Sequence, residues 1–242
     1  MRERENPAVI DYLKAENEYT RAIMEDTEEL QDNLYEEIVG RIKQDDSTVP
    51  YKENGYFYYV RYESGGEYPF YCRKKESLDA EEEILLDGNE MAREYDYFDI
   101  GNTSISPDNN LIAYSIDTVS RRNYTIYFKN LKSGEILPHT LSNTIGNCSW
   151  AADNKTVFYP VKNAETLRSE KILRHKIDQP QSKDQEVFFK DDETYSCYVH
   201  KSKSEKYIII SSHSTLSTEY RFLDASTPEE TFTIIHPREK EL

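Results

Sequence analysis

Cysteine is scarce. Cys72, Cys148 and Cys197 are the only three among 242 residues, with no CxxC pair and no metal-ligand spacing. An odd, widely spaced set excludes a disulfide-stapled secreted scaffold, and reduced thiols in a cytoplasmic protein are the simplest account. Long apolar runs are missing too. No stretch approaches the ~18 residues of a membrane-spanning helix, so no membrane partner is expected. Met1-Arg2-Glu3-Arg4-Glu5-Asn6 is followed by no apolar segment of the secretory kind. Without such a leader, the glycosylation matches at Asn102-Thr103-Ser104 and Asn123-Tyr124-Thr125 carry little weight. Basic charge is in deficit, 30 residues against 46 acidic ones, for a net −16. Such a surface repels phosphate backbones, and no nucleic-acid partner is expected.

The motifs of common chemistries are absent as well. His139, His175, His200, His213 and His236 include no i, i+4 pair with a Glu, which excludes a zincin-type site. Scattered as they are, they read as ordinary surface or half-buried residues. No G-x-x-x-x-G-K-[ST] loop exists to cradle a phosphate. The acidic stretches Asp79-Ala80-Glu81-Glu82-Glu83 and Asp191-Asp192-Glu193 lack calcium-loop spacing and read as solvated loops. Ser106 and Ser115 have no visible activating partner, and turn chemistry explains Ser106. No catalytic, metal or cofactor residue is therefore assigned, and no cofactor is expected.

What is present is tyrosine, 20 copies against a single tryptophan. Tyrosine suits half-buried strands whose outer ends meet water. The most informative stretch runs from Ile105 to Asn163. It opens on the turn Ser106-Pro107-Asp108-Asn109-Asn110, where proline presets φ and the Asp/Asn side chains bond their own backbone. A short apolar strand follows at Leu111–Ser115, an alternating strand at Tyr124–Leu131, then a turn and a third strand. At Ala152-Asp153-Asn154-Lys155 the pattern restarts. A turn, an inner strand, an amphipathic strand and an outer strand, repeated, mark the blades of a β-propeller.

Four such units can be aligned. Their inner strands begin at Tyr56, Leu111, Thr156 and Tyr207, so successive starts lie 55, 45 and 51 residues apart. Amphipathic strands follow at Pro69–Lys74, Thr125–Lys129, Lys171–Lys176 and Tyr220–Asp224. Edge strands are expected near Ile84–Leu86, Ile136-Leu137, Val187–Phe189 and Phe232–Ile235. The segments Tyr97–Ile100, Gly146–Trp150 and Tyr195–Val199 are expected to line a central channel, with Trp150 packing between blades. Before the strands, residues 6 to about 44 read as two helices. Asn6 caps the first, Pro7 sits at its first position, and Asp26-Thr27-Glu28-Glu29 marks a new start. Leu30, Leu34, Ile38 and Ile42 then form an apolar stripe that needs a partner.

The fold expected is mainly β, an incomplete propeller of about four blades after two N-terminal helices. Residues 1–48 form the helical segment and 49–242 the propeller domain. Four blades do not close a ring easily, and an open arc leaves apolar faces uncovered. The chain is expected to be the front part of a longer protein, and in isolation to self-associate.

Several longer strings are more specific than a generic repeat. They include Tyr12-Leu13-Lys14-Ala15-Glu16-Asn17, Leu34-Tyr35-Glu36-Glu37-Ile38-Val39, and Tyr68-Pro69-Phe70-Tyr71-Cys72-Arg73-Lys74. Ala113-Tyr114-Ser115-Ile116-Asp117, Trp150-Ala151-Ala152-Asp153-Asn154 and Phe222-Leu223-Asp224-Ala225 are others. In these, over essentially its whole length, the chain resembles the N-terminal part of the oligopeptidase B (protease II) enzymes of the prolyl oligopeptidase family of serine peptidases. The resemblance implies a seven-bladed propeller capping an α/β-hydrolase domain whose catalytic Ser, Asp and His lie C-terminal to Leu242. No G-x-S-x-G elbow occurs in this chain. The resemblance further implies cleavage of short peptides after Lys or Arg, with the propeller gating access by size. The missing hydrolase domain and short basic peptides would be its partners, and this chain alone would be inactive. The repeats fit a non-enzymatic interaction scaffold equally well, because fold does not fix function. A propeller lyase with histidines or a metal in its channel is a third reading, against which the scattered histidines argue.

Overall fold

The structure is a computed structural model and describes residues 3–239. The chain divides into two compact units. One takes the residues up to 46 together with 63–65, the other 47–62 and everything from 66 onward.

The first unit is helical. α1 spans Pro7–Met24 and α2 spans Glu28–Gly40, joined by a 3-10 turn at Glu25–Thr27. Asn6 Oδ1 accepts from the Ala8 amide at 3.0 Å, and Pro7 takes the first position, where no N–H is required. The break falls where the sequence places it, but its chemistry differs. Thr27 Oγ1 donates back to the Met24 carbonyl at 2.6 Å and accepts from Gln31 Nε2 at 2.8 Å. Its hydroxyl thus bonds the turn behind it and leaves α2 without a side-chain cap. No residue of α1 or α2 is buried, and Leu13, Ile23, Leu30, Leu34 and Ile38 are all exposed.

The second unit is built from four consecutive antiparallel blades. The second strand of each blade is seven residues long: Tyr56–Tyr62, Leu111–Asp117, Thr156–Lys162 and Tyr207–His213. Each pairs with a third strand, at Phe70–Lys75, Tyr124–Asn130, Ser169–Lys176 and Thr218–Asp224. First strands lie at Tyr51–Glu53, Asp99–Ile105, Ser149-Trp150 and Ser196–Lys201. One bridge, Val161 to Thr144, ties the second strand of blade III to the outer strand of blade II.

The core lies between blades, and the second strands of blades II and III are covered on both faces. Ile112, Tyr114 and Ile116 of blade II point toward Tyr58, Leu85 and Leu86 of blade I. The alternate residue Ala113 joins Phe128 and Leu141 in a cluster with Trp150, Val157 and Tyr159 of blade III. Phe158, on the opposite face from its two neighbours, packs with Ile208, Ile210 and Leu223 of blade IV. Side chains that alternate between two buried faces explain why the inner strands read as continuous apolar runs rather than as apolar–polar alternation.

Three local features depart from the sequence reading. The outer strand of blade II is Leu141–Thr144, not Ile136-Leu137. Ile136 makes a single bridge to Lys129 and is 53% exposed, whereas Leu141 is fully buried. Pro138, without an N–H, ends the ladder just after Leu137, and Leu141 fills the core instead. Asp87-Gly88, which reads as a turn, starts a short helix at Gly88–Ala92, with Asp87 Oδ1 accepting from the Glu90 amide at 3.0 Å. A Cβ on Gly88 would stand 2.7 Å from the Pro69 carbonyl oxygen, so no larger residue fits. The first strand of blade III is only two residues, because Gly146 turns the chain with φ +98°, closed in by Ser115 and Tyr124.

Candidate functional site

The four turns between first and second strands share one backbone device. Asn54, Asn109, Asn154 and Glu205 each stand two residues before the second strand and adopt a left-handed φ between 44° and 60°. Asparagine tolerates that region, and three blades use it. The turns also join the blades. Asn109 Nδ2 donates to the Asn54 carbonyl at 3.0 Å, and Asn154 Oδ1 accepts from the Asp108 amide at 2.9 Å. The Ala152 amide donates to the Ala225 carbonyl at 2.8 Å. Blade IV departs by placing a glutamate at this position.

With the turns so aligned, residues of all four blades wall one cavity of about 380 Å³. Glu53 and Asn54 line it from blade I, Asn102–Ser104 from blade II, Asn147–Ser149 from blade III, and Val199–Lys201 with Glu205 from blade IV. Its wall is about evenly polar and apolar, and it carries side chains of both charges. Lys201 Nζ lies 4.0 Å from Glu205 Oε2. Burial, and then the neighbouring Glu205, push the Glu53 carboxyl above its usual range, with Lys201 pulling the other way. Burial lowers the Lys201 amine, which Glu205 and Glu53 partly offset. Burial also lowers His200, leaving it neutral at pH 7. Asn147 Nδ2 donates to the Val199 carbonyl at 2.8 Å, while its Oδ1 is buried and accepts no hydrogen bond.

The residues weighed in the sequence fall as follows. Trp150 packs between blades, 2% exposed, with Nε1 donating to the Ser104 carbonyl at 3.1 Å and its ring meeting Phe128 edge-on. The expected channel segments of blades III and IV do reach the cavity, through Asn147–Ser149 and Val199. Ser106 is a turn residue, its hydroxyl donating to Asp108 Oδ1 at 2.6 Å. All three cysteines are free thiols, and burial pushes Cys72 and Cys148 up to about 12, so neither is a ready nucleophile. His213 stacks on Tyr198 at 4.9 Å. His175 is neither surface nor half-buried. It is completely enclosed, with Nδ1 donating to Asp184 Oδ1 at 2.6 Å, its ring against Phe128 and its Nε2 bonded to nothing. A histidine oriented by an acid resembles two parts of a catalytic triad, but no hydroxyl or thiol meets Nε2 and no solvent reaches it. Among the described residues, no group of three or more His, Cys, Asp or Glu could hold a metal ion. No helix among them is long and apolar enough to cross a membrane.

Sequence reasoning missed Glu53, Asn147, Lys201 and Glu205. The available signal was the turn alignment itself, in which Glu205 interrupts a run of asparagines at the left-handed position. Nothing in the sequence sets Glu53 on the same cavity, because blades I and IV lie some 150 residues apart.

The family model described as the prolyl oligopeptidase N-terminal β-propeller domain matches residues 1–242. Dipeptidyl aminopeptidase BI of Pseudoxanthomonas mexicana is 41% identical over 254 residues, covering 99% of this chain and 35% of that protein. Protease 2 of Moraxella lacunata is 31% identical over 245 residues, covering 98% of this chain and 35% of that protein. Among solved structures, oligopeptidase B from Leishmania major matches with a TM-score of 0.88 at 31% identity, covering 99% of this chain and 34% of that one. The chain thus spans about a third of the length of the relatives it matches.

Proposed function

The chain belongs to the prolyl oligopeptidase family, within its N-terminal β-propeller domain, and we propose that it is the propeller-containing portion of a serine peptidase that cleaves short peptides after Lys or Arg. In that reading a helical segment runs to residue 48 and the propeller from 49. The propeller gates by size, admitting flexible peptides and holding back folded proteins. The bonds are broken by a C-terminal α/β-hydrolase domain. The observation that carries this is the cavity walled by all four blades in a chain matched along its whole length by the family's propeller. The fold match to an oligopeptidase B and the likeness to Protease 2 support a peptidase that acts on short peptides. The free thiols support a cytoplasmic location.

The test is turnover by the complete protein on quenched peptides of graded length with Lys or Arg before the scissile bond. Short peptides are expected to be cleaved, and a folded protein carrying the same sequence to be spared. Equal cleavage of the folded substrate sinks the gating, and indifference to the basic residue sinks the specificity. The 41% identity to a dipeptidyl aminopeptidase favours a second reading, release of dipeptides from free N-termini. Dipeptides as sole products, lost on N-acetylation, would select it. The 242-residue chain alone is expected to turn over none of these.

The same reading covers the exposed helical stripe of Leu30, Leu34 and Ile38, and the exposed Leu216, Tyr220 and Ile235 of blade IV. Surfaces of this kind are normally covered by a partner. The isolated chain is expected to self-associate, its mass by light scattering rising with concentration. A constant monomer mass over a hundredfold range would refute this.

A further inference from the structure

We propose that the loop between the second and third strands of blade II, Thr118-Val119-Ser120-Arg121-Arg122-Asn123, is a latent cleavage site for an endopeptidase that cuts after arginine, held shut by the buried Asp117 and by Lys162 of blade III. The chain has two runs of adjacent basic residues. Arg73-Lys74-Lys75 lies in the third strand of blade I, where Arg73 and Lys74 are laddered on both sides. Arg121-Arg122 lies in no strand, and both residues are exposed at the tip of their connection. Exposed loop tips are where folded chains are nicked.

An endopeptidase takes its substrate as an extended strand and pairs with the free main-chain groups of that strand. The loop withholds both. Ser120 at φ 58° and Arg122 at φ 52° are left-handed, so the chain through the arginine pair is not extended. The Arg121 and Arg122 amides donate to Asp117 Oδ2 at 2.9 and 2.6 Å, and the Val119 amide donates to Oδ1 at 2.9 Å. Asp117 is 1% exposed, so water does not compete for its oxygens, and bonds to a carboxylate are the stronger kind. From the next blade the buried Lys162 ammonium donates to the Arg122 carbonyl, the group that must be attacked to cut after Arg122. The Lys162 carbonyl in turn accepts from Asn143 Nδ2 of blade II at 2.9 Å, so the clasp spans the seam between blades II and III. Left-handed residues other than glycine persist only where their surroundings hold them. Release of the clasp therefore lets the loop extend. Hydrolysis then adds water across the Arg121–Arg122 or the Arg122–Asn123 peptide bond; the C–N bond breaks, leaving a carboxylate on one arginine and an amine on the next residue.

Limited digestion of the folded 242-residue chain with trypsin tests the site, with fragments identified by mass. The bond after Lys43, exposed and outside any helix or strand, is the internal reference. In the parent chain the bonds after Arg121 and Arg122 are expected to be cut at least about tenfold more slowly than the reference, because the loop must first open. Asp117→Asn replaces one of the two acceptor oxygens with a donor that faces backbone N–H groups. It should speed the loop cut about tenfold or more. Lys162→Met removes the ammonium alone and should speed the cut about two- to tenfold. Neither change should alter the rate at Lys43. The urea midpoint of each variant is measured alongside, which tells a nick in a folded chain from digestion of an unfolded one. A parent loop cut as fast as the reference overturns the site. So does a loop rate unchanged in Lys162→Met, and that variant and the parent ratio decide the matter if Asp117→Asn fails to fold. None of these results depends on what the complete protein cleaves, so this inference and the peptidase reading fail separately.

Discussion

Asp184→Ala is expected to destabilise the propeller unit by about 2–6 kcal/mol, because it strands two buried donors at about 1–3 kcal/mol each. Asp184 Oδ1 accepts from His175 Nδ1 and Oδ2 accepts from the Tyr159 hydroxyl, both at 2.6 Å. Neither donor has water to turn to, since His175 and Tyr159 are both fully buried. Burial and the adjacent carboxylate push the Tyr159 phenol well above its ordinary range, so it stays a donor at any working pH. The network also crosses between blades. Gln181 Nε2 donates to the Tyr159 hydroxyl and to the Ser142 carbonyl, both at 3.1 Å, and His175 stacks on Phe128 of blade II. A melting temperature lower by several degrees follows, at about 2–4 °C per kcal/mol for a domain of this size. Asp184→Asn should cost roughly half as much, since one acceptor oxygen remains where two are used. Gln181→Ala, at the half-buried rim, should cost about 1 kcal/mol. Urea midpoints of the three variants check the order; an Asp184→Ala midpoint equal to that of the parent chain would show that the network contributes nothing.

Much of the blade architecture was legible because it repeats. The inner strands were placed from period and apolar run alone, and all four begin at the residues expected, Tyr56, Leu111, Thr156 and Tyr207. Second and third strands announce themselves through burial of alternate or successive positions, which is a local property. Outer strands do not. Ile136 and Leu141 are equally apolar, and only the inability of Pro138 to donate and the space beside Phe128 decide between them. The His175–Asp184 pair was invisible for a related reason. The two lie nine positions apart across a 3-10 turn, and their meeting depends on where Gln181–Lys183 returns the chain. The cavity was legible as a channel but not as a charge pattern. Glu53 and Glu205 are brought onto one wall only by the stacking of four blades, a sum of small rotations that no local motif encodes.

Trp150→Ala is expected to cost about 3–5 kcal/mol, the range for removing a large buried aromatic. Trp150 is 2% exposed and occupies the seam between blades II and III, with Ala113, Phe128 and Leu141 in its cluster from one and Val157 and Tyr159 from the other. Its loss opens a void among residues held by strand ladders on both sides, which relax poorly, and it takes away the donor to the Ser104 carbonyl. Trp150→Phe restores part of the volume and should recover about half of the loss, the remainder tracking the missing N–H and the smaller ring. The same residue lines the cavity, so it also has the position of a platform for a ligand ring. The two roles predict different measurements. A ligand platform would leave the urea midpoint of the free protein unchanged in Trp150→Ala and alter binding alone. A seam residue lowers the midpoint with no ligand present, and lowers it less in Trp150→Phe. The edge-on contact with Phe128 at 5.8 Å gives a further check, because a packing pair couples: the cost of Trp150→Ala should shrink by about 0.5–1.5 kcal/mol when Phe128 is already leucine. Additive costs in that cycle, or a midpoint insensitive to the tryptophan, would place the seam's stability elsewhere.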